Sequence, residues 1–165
     1  MATHSVSIRK TESLMEQIEK MHQRIMDRAF DIFRGDGEIP GRDLENWLKA
    51  ERELVWKPAL ELTEKDGEFR VNVAVPGADA KDLQIEVTSE DLLIKAEFNH
   101  EHKEEKGEIH TCEFQSGRLF RSVRFPKPID TEKVKAELKN GMLTITAAVA
   151  ESAKANEIPV RTASA

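Results

Sequence analysis

The most constraining stretch of this 165-residue chain is VKAELKNGMLTITAA, Val134 to Ala148. Asn-Gly is the strongest short signal for a two-residue type I′ hairpin, because both central residues must take positive φ. Folding the stretch about Asn140-Gly141 sets Leu138 opposite Leu143, Ala136 opposite Ile145 and Val134 opposite Ala147. All three pairs are apolar and share one face. A one-residue slip would turn that face outward, so turn chemistry and side-chain alternation specify the same register.

The same period of two recurs between about residues 59 and 149. EFRVNVAVPG groups Phe69, Val71, Val73 and Val75, with Arg70 and Asn72 opposite and Pro76-Gly77 as the stop. LQIEV sets Leu83, Ile85 and Val87 against Gln84 and Glu86, and LLIKAEF groups Leu92, Ile94, Ala96 and Phe98. RLFRSVRFP groups Leu119, Val123 and Phe125. Short alternating strands separated by turn signals predict a mainly β fold, an immunoglobulin-like antiparallel β-sandwich.

The segments outside it differ. Up to about Trp56 the period is helical: Leu14, Ile18, Met21 and Ile25 form a stripe, widened by Met15, His22, Met26, Ala29, Phe30 and Phe33. RGDG, Arg34 to Gly37, ends that helix, and Asp43 is the expected N-cap of a second. The second helix should carry Leu44, Trp47, Leu48 and then Leu54 or Val55 on one side, and stop at Pro58. After Glu151 no periodicity remains. The expected organisation is a helical N-terminal arm (1–56), the sandwich (57–150) and a flexible tail (151–165).

That tail holds one apolar feature, NEIPVR. In an extended segment Ile158 and Val160 point the same way, and Pro159 keeps the backbone extended. The result is a stiff two-pronged hook that needs a groove.

Several function classes are disfavoured. The net charge of −6 argues against a nucleic-acid footprint. No apolar run approaches membrane length, and the N-terminal ten residues lack the apolar core of a signal peptide. The single cysteine, Cys112, excludes an internal disulfide and fits a reducing, cytoplasmic setting. It reads as a small packing residue or as a redox sensor. No glycine-rich phosphate loop, nucleophile elbow or paired-histidine zinc motif occurs, so neither an enzyme nor a cofactor is expected. His100, His102 and His110 lie in NHEHKEEKGEIH, which reads as a solvated charged loop rather than a metal site.

Two features stand out. Arg121 falls in phase with Leu119 and Val123, on the apolar face. Either a local twist turns it to solvent, or it is a structural ion-pair or hydrogen-bond anchor at an interface, with Glu113 as a candidate partner. The methionine-rich stripe has two readings. By default it is the core face of an amphipathic helix, but methionine also has the flexible chemistry of adaptable binding surfaces, and Met15, Met21, Met26, Phe30 and Phe33 are the candidate residues for capturing other proteins.

Taken in order, these motifs resemble the small heat shock protein family with its α-crystallin domain, bacterial type. The resemblance runs from about Leu54 to Val160. FRVNVAVPGADAKDLQIEV is similar to the family's early strands, and SGRLFRSVRFP to the strand bearing the family arginine, which falls on Arg121. VKAELKNGMLTI matches the A-x-x-x-x-G-x-L signature through Ala136, Gly141 and Leu143, and IPV resembles the C-terminal I-x-I/V motif. Residues 22–53, around GRDLENWLKAE, also resemble a short bacterial helical segment of unknown function.

The resemblance implies that Ile158, Pro159 and Val160 of one subunit dock between the two sheets of another, with Leu83, Ile85, Leu143 and Ile145 as candidate groove walls. It also implies a homodimer in which EIHTCEF, within the long excursion after Phe98, pairs with ALELTEK of a partner, with Ile109, Glu113 and Arg121 at the interface. The implied function is an ATP-independent holding chaperone: a dissociable homo-oligomer that binds unfolding client proteins. The alternative is a β-sandwich adaptor of the co-chaperone type that binds one folded partner.

Overall fold

The structure is a computed structural model and describes residues 4–11, 14–98, 110–112 and 117–153. The chain begins with two short strands, β1 (His4–Ser5) and β2 (Ile8–Lys10), followed by helices α1 (Met15–Gly35) and α2 (Asp43–Leu54). Then come β3 (Val55–Trp56), β4 (Leu60–Lys65), β5 (Glu68–Ala74), β6 (Leu83–Val87) and β7 (Asp91–Phe98). The last strands are β8 (Gly117–Arg124), β9 (Ile129–Lys139) and β10 (Met142–Val149), with a 3₁₀ turn at Glu151–Ala153.

Among the described residues these strands form two five-stranded sheets, ordered β1-β9-β10-β5-β4 and β2-β6-β7-β8-β3. The β9–β10 hairpin has the expected register, pairing Leu138 with Leu143, Ala136 with Ile145 and Val134 with Ala147. Asn140 and Gly141 take φ of 52° and 73°, as a type I′ turn requires. A β-carbon at Gly141 would also stand 3.2 Å from the Pro76 backbone.

The alternating strands turn one set of side chains inward. Phe69, Val71, Val73 and Val75 from one sheet meet Leu83, Ile85, Leu92, Ile94 and Leu119 from the other in a continuous core. The Phe69 and Phe125 rings pack with centroids 5.3 Å apart.

The two helices pack on each other around a small core of their own, Met21, Ile25, Ile32, Ala50 and Val55. Ala50 is fully buried, and its small side chain lets the helices approach closely. Phe120, on the outer face of β8, joins the same cluster and seats the hairpin on the second sheet. The α1 terminus forms at RGDG as expected: Asp36 N–H donates to Ile32 O and Glu38 N–H to Phe33 O, both at 2.9 Å.

Three expectations need correction. Of the expected face of α2, Trp47, Leu54 and Val55 pack into the helical cluster, but Leu44 and Leu48 are exposed and Asn46 and Ala50 are buried instead, because the face that reaches α1 is set by the hairpin geometry rather than by the most apolar stripe. α2 ends at Leu54, before Pro58 acts, because Val55 and Trp56 are drawn into parallel pairing with β8. Residues 4–5 and 8–10, placed in a helical arm by periodicity, instead add a strand to each sheet.

Candidate interaction surfaces

The four candidate groove walls lie in the core. Leu83, Ile85, Leu143 and Ile145 are almost completely buried. β10 is the central strand of its sheet, so Leu143 and Ile145 face the other sheet rather than a groove open to solvent. The mouth between the sheets is formed by β6 and β9, the last long strands on that side, and β1 and β2 lie along their edges. β1 pairs with β9 (His4 opposite Leu138) and β2 with β6 (Ile8 opposite Ile85). Ile158, Pro159 and Val160 lie outside the described residues.

Of the interface candidates, Ile109 and Glu113 lie outside the described residues, as does most of EIHTCEF; His110 to Cys112 form no strand. Cys112 is exposed, not the packing residue expected of a strand cysteine. Arg121 sits opposite Ile94 on β8, among inward-facing neighbours. It is partly buried, and its Nε is buried with no hydrogen-bond partner among the described residues. An orphaned buried donor is costly, so this side chain marks a place where a further group is needed. ALELTEK forms β4, whose outer edge carries no strand among the described residues. An open edge of this kind is a template for pairing with another chain.

The helical candidates divide. Met21 is buried between the helices and Phe33 is half-buried, whereas Met15, Met26 and Phe30 are 60%, 51% and 58% exposed. Phe30 and Phe33 stack at 6.2 Å. Ile39, Leu44 and Leu48 are also exposed. The helical hairpin thus keeps its own small core and still leaves large apolar side chains in water.

One buried polar cluster escaped the sequence reading. Glu86, on the polar side of the LQIEV alternation, is only 5% exposed. Lys95 Nζ donates to Glu86 Oε1 at 2.6 Å and to Gln17 Oε1 at 2.5 Å, and Gln17 Nε2 donates to Glu86 Oε2. Burial alone would raise the Glu86 carboxyl. The hydrogen bonds from Lys95 and Gln17, with the charges of Lys95 and Arg9, outweigh it and hold the carboxyl below its ordinary value. The cluster pins α1 to the outside of the second sheet. Its signal was the charge pattern: Gln84 pairs with Lys95 in the β6–β7 ladder, which puts Glu86 diagonally across from Lys95 on the outer face.

Among the described residues no group of three His, Cys, Asp or Glu side chains could hold a metal ion, and no helix is long and apolar enough to cross a membrane. His110 is exposed, and His100 and His102 lie outside the described residues.

The structure is a two-sheet sandwich in which, among the described residues, β4 has an open outer edge and the inward Arg121 Nε has no partner. Comparison with known proteins gives the class of domain. The model of the Hsp20/alpha crystallin family matches residues 61–161, more than half of the chain. A second model, a protein family of unknown function (DUF2934), matches residues 20–55, the helical hairpin. Small heat shock protein C2 of Rickettsia felis is 29% identical over 112 residues, spanning 68% of this chain and 71% of that one. Spore protein SP21 of Stigmatella aurantiaca is 30% identical over 89 residues, and there the match spans 54% of this chain and only 53% of the relative. Heat shock protein 16.0 from Schizosaccharomyces pombe superposes with a TM-score of 0.54 at 25% identity, over 65% of this chain and 99% of that one.

The chain belongs to the Hsp20/alpha crystallin family. That membership points to a chaperone role rather than an enzymatic one.

Proposed function

We propose that this protein is an ATP-independent holding chaperone of the cytoplasm that works as a dissociable homo-oligomer. The observation that carries the reading is the apolar surface kept in water by a folded helical hairpin: Met15, Met26, Phe30, Leu44 and Leu48. Partly unfolded proteins expose apolar surface of their own, and capture by such a face lowers the concentration of aggregating species by mass action. Methionine and phenylalanine suit varied clients because their contact is adaptable and not directional. No nucleotide chemistry is needed for this.

Assembly completes the reading. A homodimer forms where a strand from a partner adds to the edge of β4 that is open among the described residues, with Ile109 and Glu113 contributing and Arg121 gaining a partner for the Nε that has none among those residues. Dimers join when Ile158 and Val160 dock at the mouth between β6 and β9 of another subunit. Burying both side chains contributes roughly 3–5 kcal/mol before ordering costs, weak singly and effective when repeated around an oligomer.

The test is direct. An aggregation-prone client is heated with the full-length protein, without ATP, and light scattering is followed. Scattering should fall steeply by equimolar ratio; undiminished scattering refutes holding activity. Deleting residues 157–165 should shrink the assembly on size exclusion, and Arg121→Gly should loosen the dimer. Protection of one folded partner, with no effect on unrelated unfolding clients, would favour the adaptor reading.

A further inference from the structure

The mouth between the sheets is already occupied, by this chain's own N-terminus. Residues 4–10 cross from one sheet to the other: Ser5 sits opposite Glu137 on β9, and three residues later Ile8 sits opposite Ile85 on β6. Val6, at the crossing, is 6% exposed and belongs to the sandwich core, and Ile8 is half-buried against it. Beside them β9 contributes Val134, Ala136 and Leu138, each half-buried against the same core. Thr11 N–H extends the pairing along β6, donating to Val87 O at 2.9 Å.

The seated sequence is Val6-Ser7-Ile8 and the tail carries Ile158-Pro159-Val160. Both present two branched aliphatic side chains two residues apart, with one intervening residue. They are chemically alternative occupants of one slot. They cannot share it: β2 uses the hydrogen-bonding edge of β6 over Ile85 to Val87, and a second extended segment needs the same backbone groups.

We propose that Val6 and Ile8 are the resident occupants of the inter-sheet slot, and that the hook of another subunit docks only where they have withdrawn. The N-terminal strand is an internal competitor that sets how readily subunits join. This rests on the hook-in-slot reading of assembly given above and adds the step that regulates it. The segment is suited to exchange. It is anchored by two side chains and two short strands, β1 and β2, and the ion pair it makes among the described residues, Lys10 with Glu132, is largely solvent-exposed. A competitor seated in the slot weakens hook binding in proportion to the fraction of slots left open, so a slot open about one-tenth of the time binds about tenfold more weakly.

The experiment uses the full chain carrying Ile158→Ser and Val160→Ser, so that its own tails do not compete, and a fluorescent peptide of residues 154–165 as the probe. Peptide affinity is measured by anisotropy with and without the added pair Val6→Ser and Ile8→Ser. Binding about tenfold tighter or more in the N-terminal variant supports the proposal. Equal, measurable binding to both chains overturns it and leaves the hook reading standing. Binding to neither removes the hook reading, and the proposal falls with it. Two further measurements guard against a variant that does not fold. Val6→Ala alone, with melting unchanged, should shift affinity in the same direction; no shift overturns the proposal. A peptide of residues 2–11 should displace the tail probe from the N-terminal variant, and failure to compete overturns it equally.

Discussion

The molecule holds two apolar clusters that are built to opposite rules. Inside the sandwich, Phe69, Val71, Leu92, Ile94, Leu143 and Ile145 are sealed from water. In the helical hairpin, Met21, Ile25 and Ile32 are buried while Met26, Phe30, Leu44 and Leu48, on the same two helices, are not. The sandwich strands turn most of their apolar side chains into one core, so once the two sheets close few are left outside it, among them Phe120 and Met142. The helices carry more apolar surface than one sheet face and one partner helix can cover. The contrast separates a scaffold whose apolar residues are spent on stability from a surface whose apolar residues are available for binding.

The strongest way to break that contrast is to attack the scaffold. Phe69→Ala removes a ring that is 1% exposed and packs on Phe125. Large-to-small changes of this kind cost about 3–5 kcal/mol, a large share of the 5–15 kcal/mol that holds a typical domain together. Urea denaturation should show a loss in that range. A loss under about 1 kcal/mol would mean that the inner cluster is no more tightly packed than the outer one, and the distinction would fail.

The junction between the two regions should respond more mildly, and in a pH-dependent way. Glu86→Gln removes the charge that Lys95 and Gln17 grip and should cost about 1–3 kcal/mol at neutral pH. The Glu86 carboxyl is held below its ordinary value of 4.5 in the folded protein. Its contribution is therefore fully present above 4.5 and is lost as pH falls through the lower folded value. Wild type and Glu86→Gln should differ most at neutral pH and converge as the solution is acidified below that point. A gap in urea midpoint that is equally wide at pH 7 and pH 3 would show that the carboxylate charge is not what pins α1 to the sheet.

How legible each region was follows from the same physics. The sandwich could be read because a strand's side-chain period is a whole number and Asn140-Gly141 set the register of the final hairpin without reference to anything distant. The hairpin of helices could be placed but not oriented. On α2 the most apolar stripe, Leu44 and Leu48, lost the buried position to Asn46 and Ala50, since close helix packing favours a small residue at the contact. Alternation placed Glu86 beside Gln84 on the polar side of β6, but alternation along one strand says nothing about a helix that later covers that face. Val6 and Ile8 gave no signal, since a strand as short as Ile8–Lys10 is too brief to show a period and pairs with residues more than seventy positions away. Leu143 and Ile145 were correctly placed on an apolar face, yet a groove wall must stand at a sheet's margin, and strand order is not written in local pattern.

The smallest effect on stability should accompany a large effect on function. Met26 and Phe30 are half exposed or more, so replacing both with serine removes little that folding has buried, and the melting curve should move by no more than about 0.5 kcal/mol in either direction. The same pair lies on the face proposed to hold clients, where apolar area is the whole of the attraction. Protection of a heated client should therefore drop while urea stability stays put. Phe69→Ala would do the reverse at temperatures where it still folds, losing stability and keeping its capture face. If Met26→Ser with Phe30→Ser left protection intact, the exposed hairpin would not be the capture face. Clients would then have to meet the protein elsewhere, and the mouth vacated by Val6 and Ile8 is the next apolar surface it could offer.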